Sequence, residues 1–152
     1  MSRRWIGCIL ALVGGLLAGC LLVVGLLGEA WATYWEWWGE FASSPRPEIL
    51  TFPIGAALAA FLGALGLTRW RTLRAGILVV AIASFIGAVV AVPGMILFEC
   101  TYYGYSNMGC SGMGVPTLVV GTPMVWVALF AVTTVLALLA RLIARPGSTR
   151  PR

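Results

Sequence analysis

Apolar residues run along this chain in four long blocks, at 5–27, 49–68, 75–98 and 117–143, and the stretches between them carry nearly all of the charged side chains. Inside the blocks there is neither the alternation of a half-buried strand nor the one-sided stripe of a surface helix. They are apolar all round, and each is 20 residues or longer. A helix rises about 1.5 Å per residue, so about 20 residues cross a hydrocarbon core of about 30 Å. No block holds a charge in its middle, where an Arg or Asp would cost about 3 kcal/mol on insertion. The pattern predicts an all-α integral membrane protein, one domain of four transmembrane helices in two helical hairpins. External loops are expected at 28–48 and 99–116, and a cytoplasmic tail at 144–152.

Composition strengthens that reading. The 152 residues are 61% hydrophobic and 10% charged, against about half and about a quarter in a soluble domain. The lipid bilayer is therefore the expected partner. Charge placement adds an orientation. Arg3 and Arg4 precede the first block, Arg69, Arg71 and Arg74 join the second to the third, and Arg141, Arg145, Arg150 and Arg152 follow the centre of the fourth. Nine of the ten basic residues thus fall on one side, and all five acids fall on the other with Arg46. Arginine excess marks the cytoplasmic side of short loops, so both termini are expected in the cytoplasm. Juxtamembrane arginines account for the formal +5 without nucleic acid, and they also attract anionic lipid headgroups. Heavy use of Arg, Ala and Gly with no Lys is the composition of a GC-rich bacterial genome, which makes the cell membrane the expected location.

Small residues recur along the blocks at helical spacing. Gly7, Ala11, Gly15 and Gly19 share one face of the first, Gly55, Ala59 and Gly63 one face of the second, and Ala83, Gly87 and Ala91 one face of the third. Lipid offers no hydrophobic drive between helices, so close van der Waals approach has to supply the contact. These faces are expected to pack the bundle, with a homo-oligomer contact as the alternative.

"LAGC" at 17–20 resembles the box that precedes the lipidated cysteine of bacterial lipoproteins. A signal peptide's apolar region stops near its cleavage site, however, and here residues 21–27 continue apolar until the run is long enough to span. The expected outcome is a retained first helix with Cys20 inside it; acylation at Cys20 is the competing outcome.

Two external segments hold whatever chemistry the chain has. On a helix over 29–41, Trp31, Tyr34, Trp35 and Trp38 form one stripe, and Glu29, Thr33, Glu36 and Glu40 another. Aromatic rings favour the headgroup level, so an interfacial helix on the outer leaflet is expected, with an aromatic cage or platform for a quaternary ammonium, a sugar or a lipid headgroup as the sharper alternative. The second segment, 99–116, is rich in Gly, Tyr and Ser and reads as an irregular loop. Cys100 and Cys110 lie on the side where disulfides persist, and closing so short a loop contributes about 2–3 kcal/mol, so a structural disulfide is expected. A thiol-redox role resembling the four-helix thiol-oxidising membrane enzymes would need a tight Cys-x-x-Cys pair, and the spacing departs from it. Glu29 and Glu99 each follow an outward-running helix in loosely parallel contexts. They are expected to be plain solvated acids, with a cation site as the alternative, because a carboxylate at the negative end of a helix is disfavoured by about 0.3 kcal/mol or more unless a cation or Arg46 compensates. Pro93 and Pro123 flank the second segment and are expected to kink their helices.

Absences narrow the chemistry further. The chain has no His, Lys, Asp or Gln, which removes Schiff-base cofactors, imidazole metal ligation, the Ser-His-Asp triad and aspartyl dyads. No cofactor, metal site or catalytic residue is expected, and the chain is not expected to be an enzyme. Four helices and small size superficially resemble small multidrug transporters and small ion channels, but their expected intramembrane Glu is missing. The function expected is that of a non-enzymatic accessory, assembly or scaffold component of the membrane, working with a membrane-protein partner or as a homo-oligomer. The alternative is a small oligomeric channel or permease.

Overall fold

The computed structural model describes residues 2–27, 36, 48–70, 72–102 and 107–144. Side-chain surroundings are described for the same residues except 24–27, 48–49, 73, 95, 97–102 and 107–120. The described chain forms four long helices, α1 (Arg3–Leu27), α2 (Glu48–Arg69), α3 (Leu73–Tyr102) and α4 (Asn107–Ala144). Each contains a segment long and apolar enough to cross a membrane: Arg3–Val23, Leu50–Arg69, Arg74–Gly94 and Gly121–Ala144.

The last two helices are longer than their apolar blocks. The segment 99–116, expected as an irregular loop, is helical through Tyr102 and again from Asn107. Gly109, Gly112 and Gly114 each weaken a helix by about 1 kcal/mol, which is why this stretch reads as a loop. Once a span is nucleated, however, each further residue gains a hydrogen bond at little extra cost. With 38 residues, α4 is about 57 Å long, well beyond a hydrocarbon core of about 30 Å. Pro53 lies inside α2 and Pro93 inside α3; Pro116 and Pro123 fall within α4. Each lacks the N–H that would bond one turn back, a loss that neighbouring helices and local adjustment make tolerable inside a membrane.

The bundle is built around α2. Its contacts are most extensive with α3, then with α1, and it also touches α4, while α4 in turn packs on α1 and α3. It is the most enclosed of the four helices, and α4 is the least. The reason is its sequence, which places Gly55, Ala56, Ala57, Ala59, Ala60, Gly63, Ala64 and Gly66 in buried positions. Residues this small let three neighbours approach at once.

Contacts along the interfaces fix the relative directions of the helices. A side chain on Gly15 would meet Ala60 at 2.6 Å and the Ala56 carbonyl oxygen at 2.7 Å, and one on Gly19 would meet Pro53 at 2.9 Å. Going up α1 therefore means going down α2. Gly55 faces Gly87, and Leu67 faces Gly76, so α2 and α3 also run oppositely. Gly7 closes the ring against the Ala140 carbonyl oxygen of α4, at 2.8 Å from where its Cβ would be.

Two apolar clusters fill the interior. One joins Cys8, Ala11, Ala64, Leu67, Val80, Ala137 and Ala140; the other joins Val23, Phe52, Ala56, Ala88, Ala91, Val92, Val125 and Leu129. The first cluster lies at the arginine end. Arg3, Arg4, Arg69, Arg74 and Arg141, which are the arginines among the described residues, sit at helix ends that meet there.

Candidate functional site

The residues singled out from sequence fall into three groups in the structure. The glycines at 7, 15, 19, 55, 63 and 87 all face another helix closely. Besides the contacts above, a Cβ on Gly63 would lie 2.6 Å from Thr133 Cγ2. Trp31, Tyr34, Trp35, Trp38 and Glu29 lie outside the described residues. Glu99 and Cys100 are in the last turns of α3 and Cys110 is in the first turn of α4, but their side chains, and so the expected pairing of the two cysteines, lie outside the described set.

The bundle interior offers little to a polar substrate. Among the described residues the buried polar side chains are Ser84 and Thr133. Ser84 donates its hydroxyl back to the Val80 carbonyl oxygen at 2.8 Å, one turn earlier on its own helix. This is the usual way a hydroxyl is satisfied where no water is present. Thr68 and Thr134 do the same, to Ala64 at 2.8 Å and to Phe130 at 2.6 Å. Such bonds satisfy each hydroxyl within its own helix. Among the described residues, no group of three or more His, Cys, Asp or Glu side chains stands where it could hold a metal ion. Cys8 is buried and Cys20 half-buried, and both are free thiols.

Outside, the surface of the described helices is compatible with lipid. Leu17, Leu21, Leu78, Val127 and Leu142 each expose 61% or more of their surface, a density of bare aliphatic residues that water would not tolerate. A polar contact between helices lies on this surface. Trp126 Nε1–H of α4 donates to the Ala81 carbonyl oxygen of α3 at 3.1 Å, and its ring meets Phe85 edge-to-face at 6.2 Å. An indole N–H facing hydrocarbon needs an acceptor, and the Ala81 carbonyl supplies it, tying the two helices together. The packing faces and external segments along the chain do not include Trp126. A tryptophan inside an apolar span, rather than at its ends where Trp collects, is the signal that marks it.

Shallow depressions sit beside this tie. One is lined by Ala81, Trp126, Val127 and Phe130 and another by Pro123, Met124, Val127 and Ala128. Both walls are apolar. Pro93 and Pro123 are themselves exposed, so their rings face outward from the bundle.

The arginine end is the most chemically distinct part of the described molecule. Trp5 and Trp70 are both about half exposed, at 51% and 52%, and stand beside Arg4 and Arg69. Tryptophan flanked by arginine is the signature of the headgroup level. No protein-family model, curated protein or solved structure matches this chain.

Proposed function

We propose that this chain is a four-span protein of the cytoplasmic membrane, both termini in the cytoplasm, that works as a non-enzymatic accessory, assembly or scaffold component. The observation that carries this reading is the contrast between interior and surface. Small and aliphatic residues close the inside, with Ser84 and Thr133 the buried polar side chains among those described, while the outside is a broad lipid-compatible face. Such a molecule has helical surfaces to offer to other membrane proteins and little equipment for chemistry. The asymmetry of the arginines supports the orientation. In the same reading, the aromatic stripe of Trp31, Tyr34, Trp35 and Trp38 rests on the outer leaflet, and Cys100 and Cys110 form a disulfide that staples α3 to α4.

The test is purification in mild detergent followed by mass analysis of what co-elutes. The expected result is an integral membrane partner, or a second copy, at fixed stoichiometry. Solute flux through liposomes containing this chain alone would overturn the reading. It would favour the oligomeric channel, in which conduction runs between copies because a single copy is packed with apolar side chains along its axis.

A further inference from the structure

Between α2 and α3, on the face turned away from the bundle, runs a crevice of about 280 Å³. Leu62 and Leu65 form one wall and Val79, Ile82 and Ile86 the other, and Arg69 stands on its rim. From Leu62 to Arg69 the helix rises about 10 Å, so the crevice extends from the arginine end into the apolar zone. At its floor Val79 occupies the space that a side chain on Gly66 would take, which is how the two helices come close enough to leave a furrow outside their contact.

The rim is what separates this crevice from the depressions beside Trp126 and Pro123. The depressions around Trp126 and Pro123 have no charged residue in their walls. Here Arg69 is exposed, Arg74 is exposed across the short connection, and among the described residues no carboxylate pairs with Arg69. Trp70 follows directly, 52% exposed; its backbone N–H donates to the Gly66 carbonyl oxygen at 3.0 Å, carrying the helical turn to the interface. An exposed tryptophan between arginines sets this rim at the depth of lipid phosphates.

We propose that this crevice is a binding site for an anionic phospholipid of the surrounding membrane, with one acyl chain along Leu62, Leu65, Ile82 and Ile86 and the phosphate on the Arg69 guanidinium. Guanidinium is suited to the contact because it presents paired, planar donors to phosphate oxygens. A zwitterionic lipid has the same phosphate, but it also brings an ammonium group close to the Arg69 guanidinium. Preference for the anionic lipid follows from that repulsion together with the attraction of the net charge. One surface arginine accounts for about fivefold in affinity for an anionic lipid.

The experiment uses the full chain in mild detergent, observed intact by native mass spectrometry while palmitoyl-oleoyl phosphatidylglycerol or the matching phosphatidylcholine is titrated in. The expected result is one retained phosphatidylglycerol with at least fivefold preference over phosphatidylcholine. Arg69→Gln should lower the preference about fivefold, weakening phosphatidylglycerol retention more than phosphatidylcholine retention. Ile82→Trp, at a position that faces outward, should fill the crevice and reduce retention of both lipids; Ile86→Trp repeats the test should the first variant unfold. Arg4→Gln removes an arginine from the same end on a different helix and should leave the preference intact. Equal loss in Arg4→Gln and Arg69→Gln would show a diffuse charge effect and overturn the site. So would the absence of any preference in the unaltered chain, or undiminished retention in both tryptophan variants.

Discussion

Gly55 of α2 and Gly87 of α3 each occupy the space that a side chain on the other helix's glycine would need: a Cβ on Gly87 would stand 2.5 Å from the Gly55 carbonyl oxygen and 2.7 Å from Ala59 Cβ. Two effects compete when Gly87 becomes alanine. Helix propensity improves by about 1 kcal/mol, while overpacking a tight interior costs about 1–3 kcal/mol. The obstructing atom is backbone, which cannot rotate aside, so overpacking wins. Gly87→Ala should lower the thermal midpoint in detergent and Gly87→Val should lower it further. Val89→Ala, at an exposed position on the same helix, should leave it nearly unchanged. A stabilised Gly87→Ala would show that the helices separate at this crossing.

The tie between Trp126 and Ala81 should have a measurable but modest value. Trp126→Phe keeps an aromatic ring near Phe85 and removes the N–H donor. Interhelical hydrogen bonds in membrane proteins average about 0.6 kcal/mol and reach about 1.7, so unfolding of the variant in mixed micelles should show a loss in that range. Trp126→Ala should lose more, since the ring contact goes as well.

Thiol chemistry checks the fate of Cys20 and the external pair together. The intact mass should be that of the full chain, apart from initiator-methionine processing, less two hydrogens for one disulfide. Peptide mapping without reduction should link Cys100 to Cys110. Cys8 and Cys20 are about 18 Å apart along one helix, too far for a disulfide, and should stay free. In folded protein a maleimide should reach half-buried Cys20 before fully buried Cys8. A mass lacking residues 1–19 and carrying acyl chains would mean that the first helix is cleaved.

Orientation is tested by single cysteines introduced at Ser43, Thr72 and Ser106. Ser43 and Ser106 should react with an impermeant reagent in intact cells, and Thr72, exposed between Arg69 and Arg74, only after permeabilisation. Labelling of Thr72 from outside would invert the whole arrangement.

The four spans are legible in the sequence because lipid imposes a simple demand: about 20 residues without a charge, read without knowing any neighbour. Helix ends are less legible. The Gly and Ser content of 99–116 suggests a loop, yet α3 continues through Glu99 to Tyr102 and α4 begins at Asn107, because propensity is a weak guide once a neighbouring span has nucleated. Pairings between helices are least legible. Nothing in the text of the chain brings Trp126 to Ala81, 45 residues away, or sets Arg69 on the rim of a furrow with Ile82 and Ile86. Those relationships depend on crossing angle and rotation, which spacing along one helix does not contain.

The alanine-rich face of α2 has a consequence for how the bundle finds its register. Alanine and glycine have no rotamers to freeze, so docking such a face costs no side-chain entropy. For the same reason it has few knobs, and a smooth face can slip by a turn with little penalty. The largest fully buried side chains on α2 are Phe52 and Leu67. They stand near its two ends, about 22 Å apart along the axis, one in each apolar cluster. Between them the helix behaves as a rail held by two pegs: sliding by one turn would pull both from their sockets at once. Vertical alignment within the membrane is thus set by two bulky residues, and intimacy of contact by the small ones between them.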